Sequence, residues 1–272
     1  MTERRIARVV IASDSVGECE DTIETAAQIA TWLDAALHGV FIEDEALLNM
    51  TAIPAVRHVG PTGEIFTTVD ERVVQHQFAA QAARMRRAIE KAARAQELVW
   101  SFDTVRGRPS ASILHMDRQD LLVIEAESRP FTGGTRFASR LMATALESEK
   151  PTLVLRNSTD APNGIIALVQ TTPALAAPLI IRAARLASAS NQSLTLFLTQ
   201  DTDDERTIVD LVGSVSRELA NRCYIERSNR NTLANIATAG RLLVVEADPA
   251  INSAATLRNL LETVRADILF LR

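Results

Sequence analysis

The acidic residues that close two apolar runs are the first candidates for chemistry. Asp120-Leu-Leu-Val-Ile-Glu-Ala-Glu127 lies near the middle of the chain, and Arg241-Leu-Leu-Val-Val-Glu-Ala-Asp248 echoes it near the end. Each run is rich in branched residues without polar alternation, the pattern of a parallel strand covered by helices on both faces. Ligands approach an open α/β sheet at the carboxyl ends of its strands. A site is therefore expected at Glu125 and Glu127, at Glu246 and Asp248, and at the neighbouring strand ends. Asp14 follows a first strand there, and Glu43-Asp44-Glu45 follows a second. These carboxylates would line a crevice mouth able to hold Mg²⁺ or to move protons. Arg106, Arg108, Arg129 and Arg136 are the cations that could balance them, and Gly133-Gly134-Thr135 opens a helix whose amino terminus can face an anion.

Other constellations are sparse. His38, His58, His76 and His115 have no paired ligand spacing, and Cys19 and Cys223 lie one in each half, so no zinc site is expected and the thiols read as reduced. His38 reads as the end of a helix, where a cation is favourable. No Gly-x-Ser-x-Gly, Walker loop or complete dinucleotide fingerprint is present. No catalytic residue is named, and the chain reads as a non-enzyme.

The elements that would position these residues alternate strand and helix, the pattern of a parallel sheet between helices. Arg8–Ser13 is the first strand. Asp21 and Glu24 read as a capping pair for a helix carrying Ile23, Ala26, Ala30, Leu33 and Leu37, with Gly39 as its stop. Val40-Phe41-Ile42 is the second strand. The stretch from Ala46 to Phe66 holds Pro54, Gly60, Pro61 and Gly63, too many breakers for a regular element, and reads as a lid or loop. Its Ile53, Pro54, Val56 and Val59 are expected to pack over the strand ends or onto a partner. Thr68 and Glu71 then open a long helix whose buried face runs Val74, Phe78, Ala82, Met85, Ile89, Ala92 and Gln96. Its other face, Arg84, Arg86, Arg87, Glu90, Lys91 and Arg94, reads as solvated. Strands at Trp100–Val105, Asp120–Glu127 and Thr152–Arg156 complete the first unit, with helices at Ser110–Met116 and Arg136–Glu149.

Asn157 to Gly164 consists largely of turn-formers and reads as a linker, after which the pattern restarts. Strands are expected at Gly164–Val169, Leu194–Leu198, Arg222–Glu226, Arg241–Glu246 and Asp267–Leu271. Leu179, Ala183, Leu186 and Ala187 repeat the first helix, and Ile208, Leu211, Val215 and Leu219 repeat the long one. Two domains follow, 1–157 and 164–272, the second having dropped the breaker-rich segment. The net charge of −5 over 272 residues argues against nucleic acid or an anionic membrane as partner, because phosphate binding needs a basic face. With no spanning segment and no apolar leader, the expected location is the cytoplasm.

A first strand ending in an aspartate, a glycine turn after the third strand and a closing Pro-Thr-Leu-Val-Leu resemble the universal stress protein (UspA-like) family in its tandem form. The resemblance implies two doubly wound, Rossmann-like α/β domains, each a mainly parallel five-stranded sheet flanked by helices. It also implies a stress-response role through protein partners, and dimerisation. Here the two domains would form a pseudo-dimer with Pro151–Arg156 against Ala266–Arg272, and a homodimer beyond that is open.

Some members of that family bind ATP, which would be the cofactor. By resemblance Asp14 matches the adenine-side aspartate, Gly107 the glycine after the third strand, and Ser139 the serine closing a Gly-x2-Gly-x9-Gly-(Ser/Thr) signature. Arg106 and Gly134 would complete the nucleotide site. The signature's glycines fall on Glu125, Ser128 and Ala138, so the implied crevice is degenerate. A glutamate about 4 Å from a phosphate oxygen adds roughly 4 kcal/mol of repulsion at an effective dielectric near 20. In the second half Gln170 stands at the aspartate's place and no glycine lies between Arg241 and Arg272.

Overall fold

The computed structural model describes residues 6–13, 20–51, 58–59, 65–66, 71–108, 111, 116–125, 148, 150–156, 163–199, 205–227, 236, 240–246, 264 and 266–271. In chain order the first half holds β1 (Arg8–Ser13), α1 (Glu20–Leu33), β2 (Ala36–Asp44), α2 (Glu45–Thr51), β3 (His58–Val59), β4 (Ile65–Phe66), α3 (Glu71–Ala95), β5 (Trp100–Gly107), β6 (Asp120–Glu125) and β7 (Thr152–Leu155). The second half holds β8 (Ile165–Val169), α4 (Ala177–Ala189), β9 (Leu194–Leu198), α5 (Glu205–Val215), α6 (Arg217–Ala220), β10 (Cys223–Arg227), β11 (Leu242–Glu246) and β12 (Asp267–Leu271).

Ten of these strands form one continuous sheet in the order β10-β9-β8-β11-β12-β7-β6-β1-β2-β5. Each half contributes five parallel strands with the same internal order, as the doubly wound pattern requires. The halves meet where β7 and β12 pair antiparallel, with Leu153 opposite Leu269 on the local pseudo-dyad. Leu153 and Leu269 are fully buried, so the junction is core rather than a contact between separate surfaces. The two terminal strands thus protect each other's open edge, in the place anticipated from the sequence.

The apolar runs behave as their composition demands. In β6 and β11 every residue from Leu121 to Ile124 and from Leu242 to Val245 is buried. Along α3, Val74, Phe78, Ala82, Met85, Ile89 and Ala92 are buried in steps of four and three. Phe78 meets the Phe41 ring of β2 edge-on, with centroids 6.1 Å apart. Leu179, Ala183, Leu186 and Ala187 of α4 are buried in the corresponding layer of the second half.

Several local expectations are corrected. Helix α1 begins at Glu20, so Asp21 and Glu24 sit in its first turns, and it ends at Leu33 rather than Leu37. Asp34 terminates it in the left-handed region (φ 51°), and Ala35 N–H closes back to Ala30 O at 3.0 Å. Glu97 and Asn191 end α3 and α4 the same way, so three helices stop without the glycine that sequence reading looks for. Gly39 lies inside β2 instead, where a Cβ would collide with Ile89 and come within 2.8 Å of Phe102; close approach, not termination, requires it.

Gln96 falls beyond α3 and is exposed. The Ala46–Phe66 stretch holds two regular pieces: α2, and the antiparallel pair β3–β4. Asp44 supplies a cap, its Oδ1 accepting from Ala46 N–H at 2.9 Å. Ile53, Pro54 and Val56 lie outside the described residues, as do the expected helices of 110–116 (Ala111 and Met116 apart) and 136–149 (Ser148 apart) and the capping Thr68. The second-half long helix breaks at Ser216, whose backbone is extended (φ −156°, ψ 122°) and whose Oγ accepts from Leu219 N–H. A new N-cap there splits the helix into α5 and α6.

Candidate functional site

The strand order reverses direction between β1 and β6, so the crevice expected of an open α/β sheet lies at their carboxyl ends. Glu125 stands at the end of β6, half-buried. Next outward, β2 ends at Glu43 and Asp44 and β5 at Arg106 and Gly107, in register as Glu43↔Arg106 and Asp44↔Gly107. Arg106 Nε and Nη2 lie 3.0 and 2.9 Å from Glu43 Oε2. The guanidinium named for anion binding is therefore already paired with a carboxylate. It also stands on β5, two strands from β1, roughly 10 Å at ordinary sheet spacing.

Of the five residues named from the sequence, Arg106 and Gly107 are brought together with Glu43 and Asp44. Asp14, Gly134 and Ser139 lie outside the described residues, as do Glu127, Arg129, Arg136 and Asp248. In the second half Glu246 is exposed at the end of β11.

At the opposite, amino-terminal end of the sheet is a polar cluster that sequence reasoning missed. Arg8 heads β1 and Asp120 heads β6, paired in register. Arg8 Nε and Nη2 donate to the two Asp120 carboxylate oxygens at 2.8 and 2.7 Å, a bidentate pair. Asp120 is 1% exposed and also accepts from Asp117 N–H at 2.9 Å, so its charge is compensated on three sides. The hydrogen bond to Asp120 raises the Arg8 pKa further.

His38 is buried on the neighbouring β2, correcting its reading as a helix end. Its Nδ1 is 2.7 Å from Ser101 Oγ and its Nε2 3.6 Å from Asp103 Oδ2, both on β5. Burial, aided by Arg8, pushes its pKa below the ordinary histidine value. Lys150, ahead of β7, is buried beside this cluster, and desolvation lowers its pKa against the pull of Asp120 and Asp117. The available signal was small: a charge at the first position of an apolar run, as at Arg8 and Asp120, predicts a partner at the same level of the next strand.

Among the described residues no group of histidine, cysteine, aspartate and glutamate side chains is arranged to hold a metal ion. No helix among them is long and apolar enough to cross a membrane. Cys223 is a free, half-buried thiol pushed up to about 11 by burial.

No family model and no curated protein matches the chain. Solved structures do. A universal stress protein from Archaeoglobus fulgidus superposes with TM-score 0.63 at 8% identity, over 98% of this chain and 97% of its own. A functionally unknown protein from Pseudomonas aeruginosa gives 0.57 at 14% identity, over 99% and 93%. A putative universal stress protein from another strain of that organism gives 0.52 at 16% identity, over 98% and 92%. The fold is that of the universal stress proteins: α/β, with a mainly parallel sheet flanked by helices, matched along nearly the whole chain.

Proposed function

We propose that this chain is a non-enzymatic stress-response or regulatory protein that acts in the cytoplasm through protein contacts, with domains 1–157 and 164–272 working as an internal pseudo-dimer. The observation that carries the reading is a group of outward apolar side chains on α2 and the adjoining start of α3. Leu47 and Met50, one turn apart on α2, are 44% and 47% exposed, and Val73 at the start of the adjoining α3 is 52% exposed. Apolar side chains held outward on regular elements are what a protein partner covers. The pairing of Arg106 with Glu43 supports the same reading, because it leaves less free positive charge for a phosphate.

A photo-crosslinking residue at Met50 tests it in cells. The expected result is a discrete protein adduct that the same probe at Arg217 does not give. No adduct from Met50 under any growth condition would sink the reading.

A second reading, adenine-nucleotide binding in the first half, is favoured by one observation: the strand-order reversal at β1 and β6 lies where such folds take ligands. Asp14, Arg106, Gly107, Gly134 and Ser139 would then form the site, with slow hydrolysis as an added activity. Retention of labelled ATP by the parent chain and its loss in Asp14→Ala would put this reading first.

A further inference from the structure

Three side chains on the two outermost strands of the first half stand in a relay. His38 and Ser101 are register partners on β2 and β5, and Asp103 lies two residues along β5, on the same face as Ser101. The protonation of the relay follows from what each group can do. The Asp103 carboxylate lies 3.6 Å from Nε2, beyond hydrogen-bond distance, so it favours a hydrogen on that nitrogen through its field alone. Nδ1 is then a lone pair, and the Ser101 hydroxyl at 2.7 Å donates to it. A serine donating to a neutral imidazole is an activated nucleophile, and a carboxylate 3.6 Å from the other nitrogen stabilises the imidazolium that forms as the proton moves.

Access follows from topology. Among the described residues β5 is the last strand of the sheet, so one side of its backbone faces outward. Leu37 N–H donates to Val99 O at 2.9 Å. That fixes the phase of the ladder and turns the Phe102 N–H, next to the serine, outward. Ser101 itself is exposed, while His38 is buried and Asp103 is 69% exposed. An outward amide adjacent to a nucleophilic hydroxyl is a donor for a developing oxyanion.

We propose that Ser101 is a covalent acyl-acceptor site, reacting with small, neutral, activated acyl donors such as esters and thioesters. Its Oγ attacks the acyl carbonyl, and its proton passes to His38 Nδ1. The C–O or C–S bond to the leaving group breaks, and the departing alkoxide or thiolate takes the proton from His38. The products are an acyl-serine, a free alcohol or thiol, and a regenerated neutral imidazole. A neutral carbonyl suits the site better than a phosphoryl group, because the Asp103 carboxylate repels an incoming anion. His38 and Ser101 touch the reacting atoms; Asp103 is a positioning residue.

The test uses the full chain and p-nitrophenyl acetate. The expected result is a nitrophenolate burst of about one equivalent, with peptide mapping placing the acetyl group on Ser101. Ser101→Ala, a change at an exposed position, abolishes the burst, and His38→Gln slows it about 100-fold. Asp103→Asn slows it less and moves the pH profile. In the unsubstituted chain the rate rises with pH through a midpoint below the ordinary histidine value, the neutral imidazole being the base: burial lowers it most, Arg8 lowers it further, and Asp103 and Asp120 oppose them. Acetyl groups found on lysines or the terminal amine with Ser101 unmodified, or a burst that survives Ser101→Ala, would overturn the assignment.

Discussion

The two halves agree in their apolar runs and in the acids at the carboxyl ends of β6 and β11, and differ at the polar strand starts, which separates what makes the fold from what varies on it. With Leu121 set against Leu242, the strand registers equate Val9 with Ile165, Leu37 with Leu194, and Trp100 with Cys223. One residue earlier on the central strands, Arg8 and Asp120 become Gly164 and Arg241. One residue later on the outer strands, His38 and Ser101 become Thr195 and Tyr224. The bidentate pair of the first half is thus absent from the second, where Arg241 acts instead on buried Asp267, which also accepts from Arg156 N–H at 2.8 Å. The first half pairs its buried carboxylate internally, whereas buried Asp267 of the second takes its hydrogen bond from Arg156 of the first half and its countercharge from Arg241. The hydrophobic layers alone specify the sheet, and polar residues at the strand starts vary as long as every buried charge retains a partner.

The largest effects are expected where the halves are equivalent. Leu153→Ala and Leu269→Ala each remove a fully buried side chain at the pseudo-dyad, and each is expected to cost about 2–5 kcal/mol. Denaturant unfolding checks this; a large inequality would show that the seam belongs to one half. Next come the two close-approach glycines, where the halves should differ. A Cβ at Gly240 lies 2.7 Å from the Gly164 carbonyl oxygen, which is backbone and cannot yield, whereas at Gly39 the obstacles are the Ile89 and Phe102 side chains. Gly240→Ala is expected to cost about 1–3 kcal/mol and Gly39→Ala less, read from the same unfolding curves.

Asp120→Asn keeps the shape and removes the charge. It is expected to cost about 1–3 kcal/mol and to lower amide protection in β1 and β6 while leaving β8 and β11 unchanged. The smallest effect is a pH slope. His38 is buried neutral, with its folded pKa below the ordinary 6.5. Its contribution is complete above pH 6.5, declines as pH falls toward the folded value because the unfolded chain takes the proton first, and then levels off. His38→Gln should flatten stability in that window; Thr195 gives the second half no such slope.

Strand identity was legible because unbroken branched runs such as Leu121–Ile124 have few other ways to bury both faces. The pairing of β7 with β12 was legible through the family resemblance, in which the last strands of two domains meet, and it satisfies both edges. Helix ends were not: Asp34, Glu97 and Asn191 adopt a conformation that glycine usually marks, so Gly39 drew the boundary five residues late. The break at Ser216 was hidden because Leu211, Val215 and Leu219 keep helical spacing across it. The Arg8–Asp120–His38 cluster was invisible to motif reading, since its members are scattered over three strands and meet only through register.

On the proposed reading, the carboxyl-end crevice of the first half has given up triphosphate binding, with Arg106 held by Glu43 and Glu125 at the strand end. Calorimetric titration of the full chain with ATP and Mg²⁺ tests it most directly. No saturable heat is expected. A saturable, stoichiometric heat that disappears in Asp14→Ala would contradict it.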